Sequence, residues 1–447
     1  MFLKRPIFRD LVLLAWPVVL SQLGHVMVGV ADSVMIGQTG TIPLAASSFA
    51  NSLFVILLVF GIGVSFGLTP LVAEADGSKN ETKLTLLLGN GLLVNSFVSV
   101  ILVALLFLGI PFMDLLGQDE EVLALARPYL QSITLSVIPL MVFLALKQFA
   151  EGLSDTKMAM IITIGANLLN VLLNYLFIFG KAGLPEMGLL GAGYATLISR
   201  VVMAIAMFIY IARSTKFKSF VDGLDLKRYN KAMVIRILKI GVPSGLQYIF
   251  EVGAFAIAAV LIGTISPISL AAHQIAISLA SVSYMAASGI AAAATVRIGN
   301  ERGRKNFTAI REAGNAALLL SIALMTFAGL VLFFGRNLLP SFYTDEVEVL
   351  RLSTSLLIVA VIFQISDGLQ VVGLGMLRGL SDVKLPTGIT FFSYWIVSLP
   401  LCWLTGIYLN GGVLAIWICL ATGLTLAAVL LVWRFRVLTK WVATAEL

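Results

Sequence analysis

Three carboxylates stand inside long apolar stretches of this 447-residue sequence. Asp32 lies in Gly29-Val30-Ala31-Asp32-Ser33, Glu251 in Phe250-Glu251-Val252-Gly253, and Asp367 in Ile365-Ser366-Asp367-Gly368-Leu369-Gln370. An acid at bilayer depth costs about 2.5–3.5 kcal/mol on insertion scales, so each calls for a function or a partner. Buried carboxylates suit two tasks. They hold a hard cation such as sodium, with amide, hydroxyl and carbonyl oxygens completing its shell, or they carry a proton. Both readings stay open here. In another apolar run Asn167, Asn170 and Asn174 recur at i, i+3 and i+7, one face of a helix. A face of amides does not belong against lipid, so it points into the protein, where it binds an ion or substrate or joins helices. His25 and His273 read as packing histidines. Lys147 and Arg200 read as side chains that snorkel or hydrogen-bond to neighbouring helices. Cys402 and Cys419 lie in separate apolar runs without metal-ligand spacing and read as small hydrophobes.

The elements that must position these groups follow from composition. Hydrophobic residues make up 59% of the chain and charged residues 12%, against about 25% charged in soluble domains. So apolar a chain has lipid for its solvent, and a soluble fold is excluded. Twelve apolar segments follow one another, the first near 10–36 and the last near 411–434. The net charge of +7 raises a nucleic-acid partner, but the basic residues sit in short clusters between apolar runs. The N-terminus and every second connection hold 25 of the 30 lysines and arginines, among them Lys4, Arg5, Arg9, Lys79, Lys83, Lys147, Lys227, Arg228 and Arg236. The positive-inside rule then places both termini in the cytoplasm, and no nucleic acid is expected. The first apolar run lacks a small-residue cleavage site and reads as a retained span. At 1.5 Å per residue, Glu251 and Asp367 fall near mid-membrane, where they can share a cation, and Asp32 falls nearer the outer surface.

The sequence repeats itself. Shifted by 226 positions, Pro17 meets Pro243, Gly63 meets Gly289, Lys79-Asn80 meets Lys305-Asn306 and Asp119-Glu120 meets Asp345-Glu346. Shifted by one more, Gly152-Leu153-Ser154-Asp155 meets Gly379-Leu380-Ser381-Asp382. Matching loop residues cannot come from shared apolarity, so the chain is an internal repeat of six spans. The expected fold is an all-α integral membrane protein of twelve transmembrane helices in two pseudo-symmetric six-helix bundles. They comprise an N-terminal lobe 1–212, a cytoplasmic linker 213–234 and a C-terminal lobe 235–447. Repeats of even span number share orientation, an arrangement used for alternating access. Gly63/Gly67, Gly241/Gly245 and Gly375/Gly379 have the spacing that lets helices approach closely.

These residues resemble the NorM branch of the multidrug and toxic compound extrusion family over essentially the full length. The resemblance rests on Ala31-Asp32-Ser33-Val34-Met35, on Glu251 after Tyr248-Ile249-Phe250, and on Ala271-Ala272-His273-Gln274. It rests also on Asp367-Gly368-Leu369-Gln370-Val371-Val372 before Leu377-Arg378-Gly379, and on Asn170 through Asn174 leading to Gly191-Ala192-Gly193. It implies two lobes about an outward-facing V-shaped cavity and antiport of cationic, amphipathic drugs against sodium or protons, with no other cofactor. Glu251 and Asp367 would form the cation site, binding the metal if sodium is the coupling ion. Asp32, Asn170 and Asn174 would form a polar N-lobe site for substrate or proton. Some members have tyrosine one turn before the tenth-span aspartate, where this chain has Phe363 and lacks that oxygen. The chain is expected to work as a monomer in a bacterial inner membrane and to confer drug resistance.

A flippase for lipid-linked saccharides is the alternative, but such proteins line their cavities with basic residues and these spans show chiefly acids. An enzyme is disfavoured, since no paired-histidine motif, Ser–His arrangement or metal cluster appears. Without a Gly-x-x-x-x-Gly-Lys-Ser/Thr loop, an ATP-driven pump is equally disfavoured.

Overall fold

The computed structural model describes residues 5–224 and 229–444; Lys4, Lys227 and Arg228 of the basic clusters lie outside them. Among the described residues, twelve helices are long and apolar enough to cross a membrane. They are α1 (Ile7–Gly37), α2 (Thr41–Gly77), α3 (Glu81–Leu116), α4 (Glu120–Gly152), α5 (Lys157–Ile178) and α6 (Gly188–Arg213). After a connection carrying a short helix, Lys218–Asp222, come α7 (Lys231–Gly263), α8 (Pro267–Gly303), α9 (Phe307–Gly335), α10 (Val347–Gly379), α11 (Lys384–Tyr408) and α12 (Gly412–Lys440). No strand occurs among the described residues. The chain is a multi-pass membrane protein. Large apolar side chains such as Phe334, Leu115 and Phe112 stay exposed, as a lipid-facing surface requires.

The repeat is visible in backbone geometry. Lys79 and Lys305 both take the left-handed conformation, at φ 54° and 58°, and so do Ser154 and Ser381, at 62° and 56°. After the first pair, Asn80 and Asn306 each cap the next helix, their side chains accepting from Lys83 N and Ala309 N at 2.9 and 3.0 Å. The copies differ where a proline intervenes. Helix α2 breaks after Ser65 and restarts at Thr69-Pro70, whereas α8, with Val296 in the equivalent place, runs on unbroken. Helix α11 contains two π-helical turns, Phe392–Ser398 and Cys402–Tyr408, around Pro400; its counterpart α5 is regular.

Packing divides the chain at other positions than the linker. The compact units are 20–245 and 1–19 with 246–447, so the first halves of α1 and α7 are exchanged relative to lobes cut at 212 and 235. The two changeovers are 226 residues apart, and each falls just after a proline, Pro17 or Pro243, inside a continuous helix. In the unit holding the C-terminal half, Ile7, Leu11 and Ala15 join a core with Ile290, Ala294, Leu377 and Phe435.

Glycines make the exchange sterically feasible. A Cβ on Gly63 of α2 would fall 2.5 Å from the Cα of Gly245, and one on Gly241 would fall 2.5 Å from the carbonyl oxygen of Val64. In the other unit the counterpart of Gly63, Gly289 of α8, meets Val19 Cγ2 at 2.4 Å and Ala15 O at 3.0 Å by the same test. A side chain at Gly63 or Gly241 meets backbone, which has no rotamer to escape into. Gly63→Val is expected to cost about 1–3 kcal/mol or more, the range of overpacked sites. Gly165→Ala, where nothing lies within 4 Å, is expected to be neutral. Thermal melts of the two purified variants by fluorescence-detected size exclusion check this; equal melting temperatures would contradict the packing.

Candidate functional site

In the unit 20–245 the polar groups meet around Asp32. Asn174 of α5 donates through Nδ2 to Asp32 Oδ1 of α1 and to Asn170 Oδ1 at 3.2 Å. Asn170 donates onward to Ser199 Oγ and Thr196 Oγ1 of α6, at 3.3 and 3.5 Å. The i, i+4 spacing of the two asparagines lets one helix face carry this chain. Asn174 Oδ1 is buried and without a partner among the described residues, as is Asn167 Nδ2. Asn167 thus shares the face but not the network; it lies against Gly24.

Basic groups balance this cluster. Arg200 of α6 donates to Ser136 Oγ of α4 at 2.7 Å, lies 5.7 Å from the centre of the Phe54 ring, and is within electrostatic reach of Asp32. Lys147 belongs to α4, not to a connection as its place among the basic clusters suggested. It is buried, 3.7 Å from the carboxylate of Glu151 one turn on. Glu151, 4% exposed, is a buried acid that hydropathy alone does not flag, because it lies at the end of its span. His25 is exposed.

In the unit 1–19 and 246–447, Glu251 of α7 and Asp367 of α10 are both buried and close enough to repel one another. Tyr284 of α8 and Tyr394 of α11 lie within electrostatic reach of both acids, and Tyr248 of α7 within reach of Glu251. Tyr394 donates to Gln370 Oε1 at 2.5 Å; Gln370 is three residues beyond Asp367 and fully buried. One turn before Glu251, Gln247 donates to Thr387 Oγ1 at 3.1 Å and to Val383 O at 3.3 Å. It accepts from Arg378 Nη2 at 3.5 Å, which brings that guanidinium within electrostatic reach of Glu251. Two carboxyls and one guanidinium therefore share this cluster, whereas acids and bases match one for one around Asp32.

Phe363, one turn before Asp367, offers no oxygen. Its ring packs 5.8 Å from that of Trp417, whose Nε1 donates to His273 Nδ1 at 3.1 Å. His273 is thus a buried, satisfied side chain. Oxygen near the acids comes from Tyr284 and Tyr394 instead, on helices where no sequence pattern singled them out. Arg378 stood in the sequence only within the Leu377-Arg378-Gly379 motif, with nothing to mark it as a charge near Glu251.

A bundle of twelve apolar helices in two repeats, with buried carboxylates in its interior, is the architecture of a membrane transporter. The MatE family profile matches residues 17–176 and 243–404, and the chain belongs to this family, in its NorM-like branch. It is 34% identical over 431 residues to the probable multidrug resistance protein NorM of Rhodopseudomonas palustris, covering 96% of this chain and 91% of that one. With multidrug resistance protein NorM of Vibrio parahaemolyticus it shares 33% over 432 residues, covering 96% and 94%. Its fold matches that of the eukaryotic MATE transporter AtDTX14, with a TM-score of 0.87 at 19% identity over 99% of both chains. It also matches an outward-facing multidrug resistance MATE family transporter, with a TM-score of 0.87 at 19% identity over 98% and 96%. The chain is a multidrug efflux transporter.

The Tyr394–Gln370 bond yields a double-mutant test. Tyr394→Phe leaves a buried amide oxygen without its donor and is expected to lower stability by about 1–3 kcal/mol. Gln370→Leu in the same background is expected to restore most of it. Additive losses in thermal melts of the four proteins would show that the two side chains do not interact.

Proposed function

We propose that the chain exports cationic, amphipathic compounds in exchange for an inward-moving sodium ion or proton, and that Glu251 and Asp367 hold the coupling cation. The observation that carries this reading is the charge imbalance of their cluster. Ionised together in a low-dielectric interior the two carboxyls would repel strongly, and Arg378, the one guanidinium that reaches Glu251 among the described residues, would offset only one of them, so a cation or a proton between the carboxyls is electrostatically favoured. The donor set fits either ion. The carboxylate and tyrosine oxygens suit a hard cation, and a carboxylate alone suffices for a proton.

Cargo and coupling ion then exclude one another. A cation arriving at the acids from outside removes the charge that held the drug, and the drug leaves as the cation enters. Reciprocity requires each to weaken the other's binding by the same factor. Asp32, with Asn170 and Asn174, forms a second, charge-balanced polar site that holds substrate or a proton. The basic residues, concentrated at one end of the helices, support a bacterial inner membrane with both termini cytoplasmic. A flippase reading lacks comparable support, because Lys147 and Arg200 are each matched by an acid.

Ethidium efflux from proteoliposomes, run separately under sodium and proton gradients, tests the proposal. Wild type is expected to respond to one gradient, and Glu251→Gln and Asp367→Asn to fall to the level of empty vesicles while remaining folded. Full activity in both variants would remove the carboxylates from the mechanism.

A further inference from the structure

A buried polar link joins the turn before Glu251 to the end of α10. Gln247 stands one turn before Glu251 on α7, nearer the Lys231 end. Its amide donates to Val383 O and Thr387 Oγ1 at the start of α11, and it accepts from Arg378 Nη2 at 3.5 Å. Arg378 is the last residue but one of α10. It lies eleven residues beyond Asp367, close to three full turns, so the two side chains leave the helix on similar faces about 16 Å apart along its axis. Gln247 and Arg378 are both buried, so neither is a lipid-facing group. The guanidinium lies within electrostatic reach of Tyr248, Tyr284 and Glu251. The connection it borders, with Lys384 on the far side, is one of the basic connections that the positive-inside rule assigns to the cytoplasm. In the proposed orientation, Arg378 therefore stands on the side of the acids toward which an inward-moving ion leaves.

The equivalent positions of the N-terminal half differ. Arg378 corresponds to Glu151, Gln247 to Ser21 and Glu251 to His25, and Glu151 is matched within α4 by Lys147, 3.7 Å away. The sign of the charge at this helix end is thus reversed between the halves, and the repeat alone does not account for a cation beside Glu251. A fixed positive charge lowers the affinity of a neighbouring site for any other cation. Arginine suits that task, because its guanidinium holds its charge where a buried lysine gives up its proton more readily. An ion site on a transport path has to bind strongly enough to fill and weakly enough to empty.

We infer that Arg378 is the release residue of the cation site: its fixed charge weakens ion binding at Glu251 and Asp367 enough for the ion to leave toward the cytoplasm. Gln247 is the positioning residue that holds the guanidinium in place. The inference rests on the antiport reading and deepens it, because it assigns the emptying of the site to a group that does not ligate the ion.

Two neutral variants test it, Arg378→Gln and Arg378→Met, the second of which keeps an apolar stem for packing. Sodium affinity is read by binding of radioactive sodium to purified protein, proton affinity by the pH that halves ethidium binding, and turnover by ethidium efflux from proteoliposomes. Both variants are expected to bind the coupling ion roughly three- to tenfold more tightly than wild type, and to lower the maximal efflux rate and the KM for ethidium together. Arg378→Lys, which keeps the charge, is expected to stay within about twofold of wild type. Loss of a merely structural contact would lower the melting temperature and weaken binding, so tighter binding separates the two roles. Unchanged or weaker ion binding in a folded neutral variant, with wild-type exchange intact, would overturn the release role and leave the antiport reading standing. Tighter binding with an unchanged maximal rate would overturn it as well, and so would an Arg378→Lys variant that binds as tightly as the neutral ones. If neither sodium nor protons compete with ethidium in the wild type, the antiport reading falls and the release role with it.

Discussion

Repulsion between two buried carboxyls, Glu251 and Asp367, is the constraint around which the C-terminal half is organised. Water would screen such a pair at little cost, but an apolar helix bundle leaves that to side chains. Tyrosines from α7, α8 and α11 close in around the acids, Gln247 and Gln370 extend the polar shell along the same helices, and Arg378 supplies one positive charge. The shell surrounds the acids with polar groups and one guanidinium, and on this the proposed cation site rests. Around Asp32 the same architecture is balanced, with amides from α5 and a guanidinium anchored on Ser136. Two copies of one ancestral repeat have thus reached different electrostatic states on one scaffold.

That scaffold depends on close backbone contact. The first halves of α1 and α7 pack in the unit opposite their own repeat, each crossing just after a proline. In each unit they lie where a glycine of α2 or α8 admits them. Without a hydrophobic force between helices in lipid, such contacts carry much of the association energy. The exchanged half-helices run on directly, within α1 and α7, into the segments bearing Asp32 and Glu251.

Much of this was legible in the sequence, and the failures have physical reasons. The twelve spans and the repeat stood out because apolarity is continuous and loop residues such as Lys79-Asn80 recur as Lys305-Asn306. Asp32, Glu251 and Asp367 stood out because charge in an apolar run is rare. Tyr284 and Tyr394 gave no such signal, since tyrosine is common in membrane helices and only tertiary packing brings these two to the acids. The particular partners of Lys147 and Arg378, Glu151 and Gln247, were not legible, because at helix ends a basic residue looks like a topology marker whether or not it turns inward. The exchange of half-helices was invisible because connectivity favours a cut at the linker, while packing places it 226 residues apart inside two continuous helices.

Competition between drug and ion at one pair of acids is the central claim, and linkage tests it most directly. Ethidium affinity of the purified protein would be measured across sodium concentrations and across pH, and the affinity for the coupling ion across ethidium concentrations. The account predicts that one ion weakens ethidium binding, that ethidium weakens binding of that ion by the same factor, and that the mutual effect disappears in Asp367→Asn. Ethidium binding that is indifferent to both sodium and pH in the wild-type protein would contradict it.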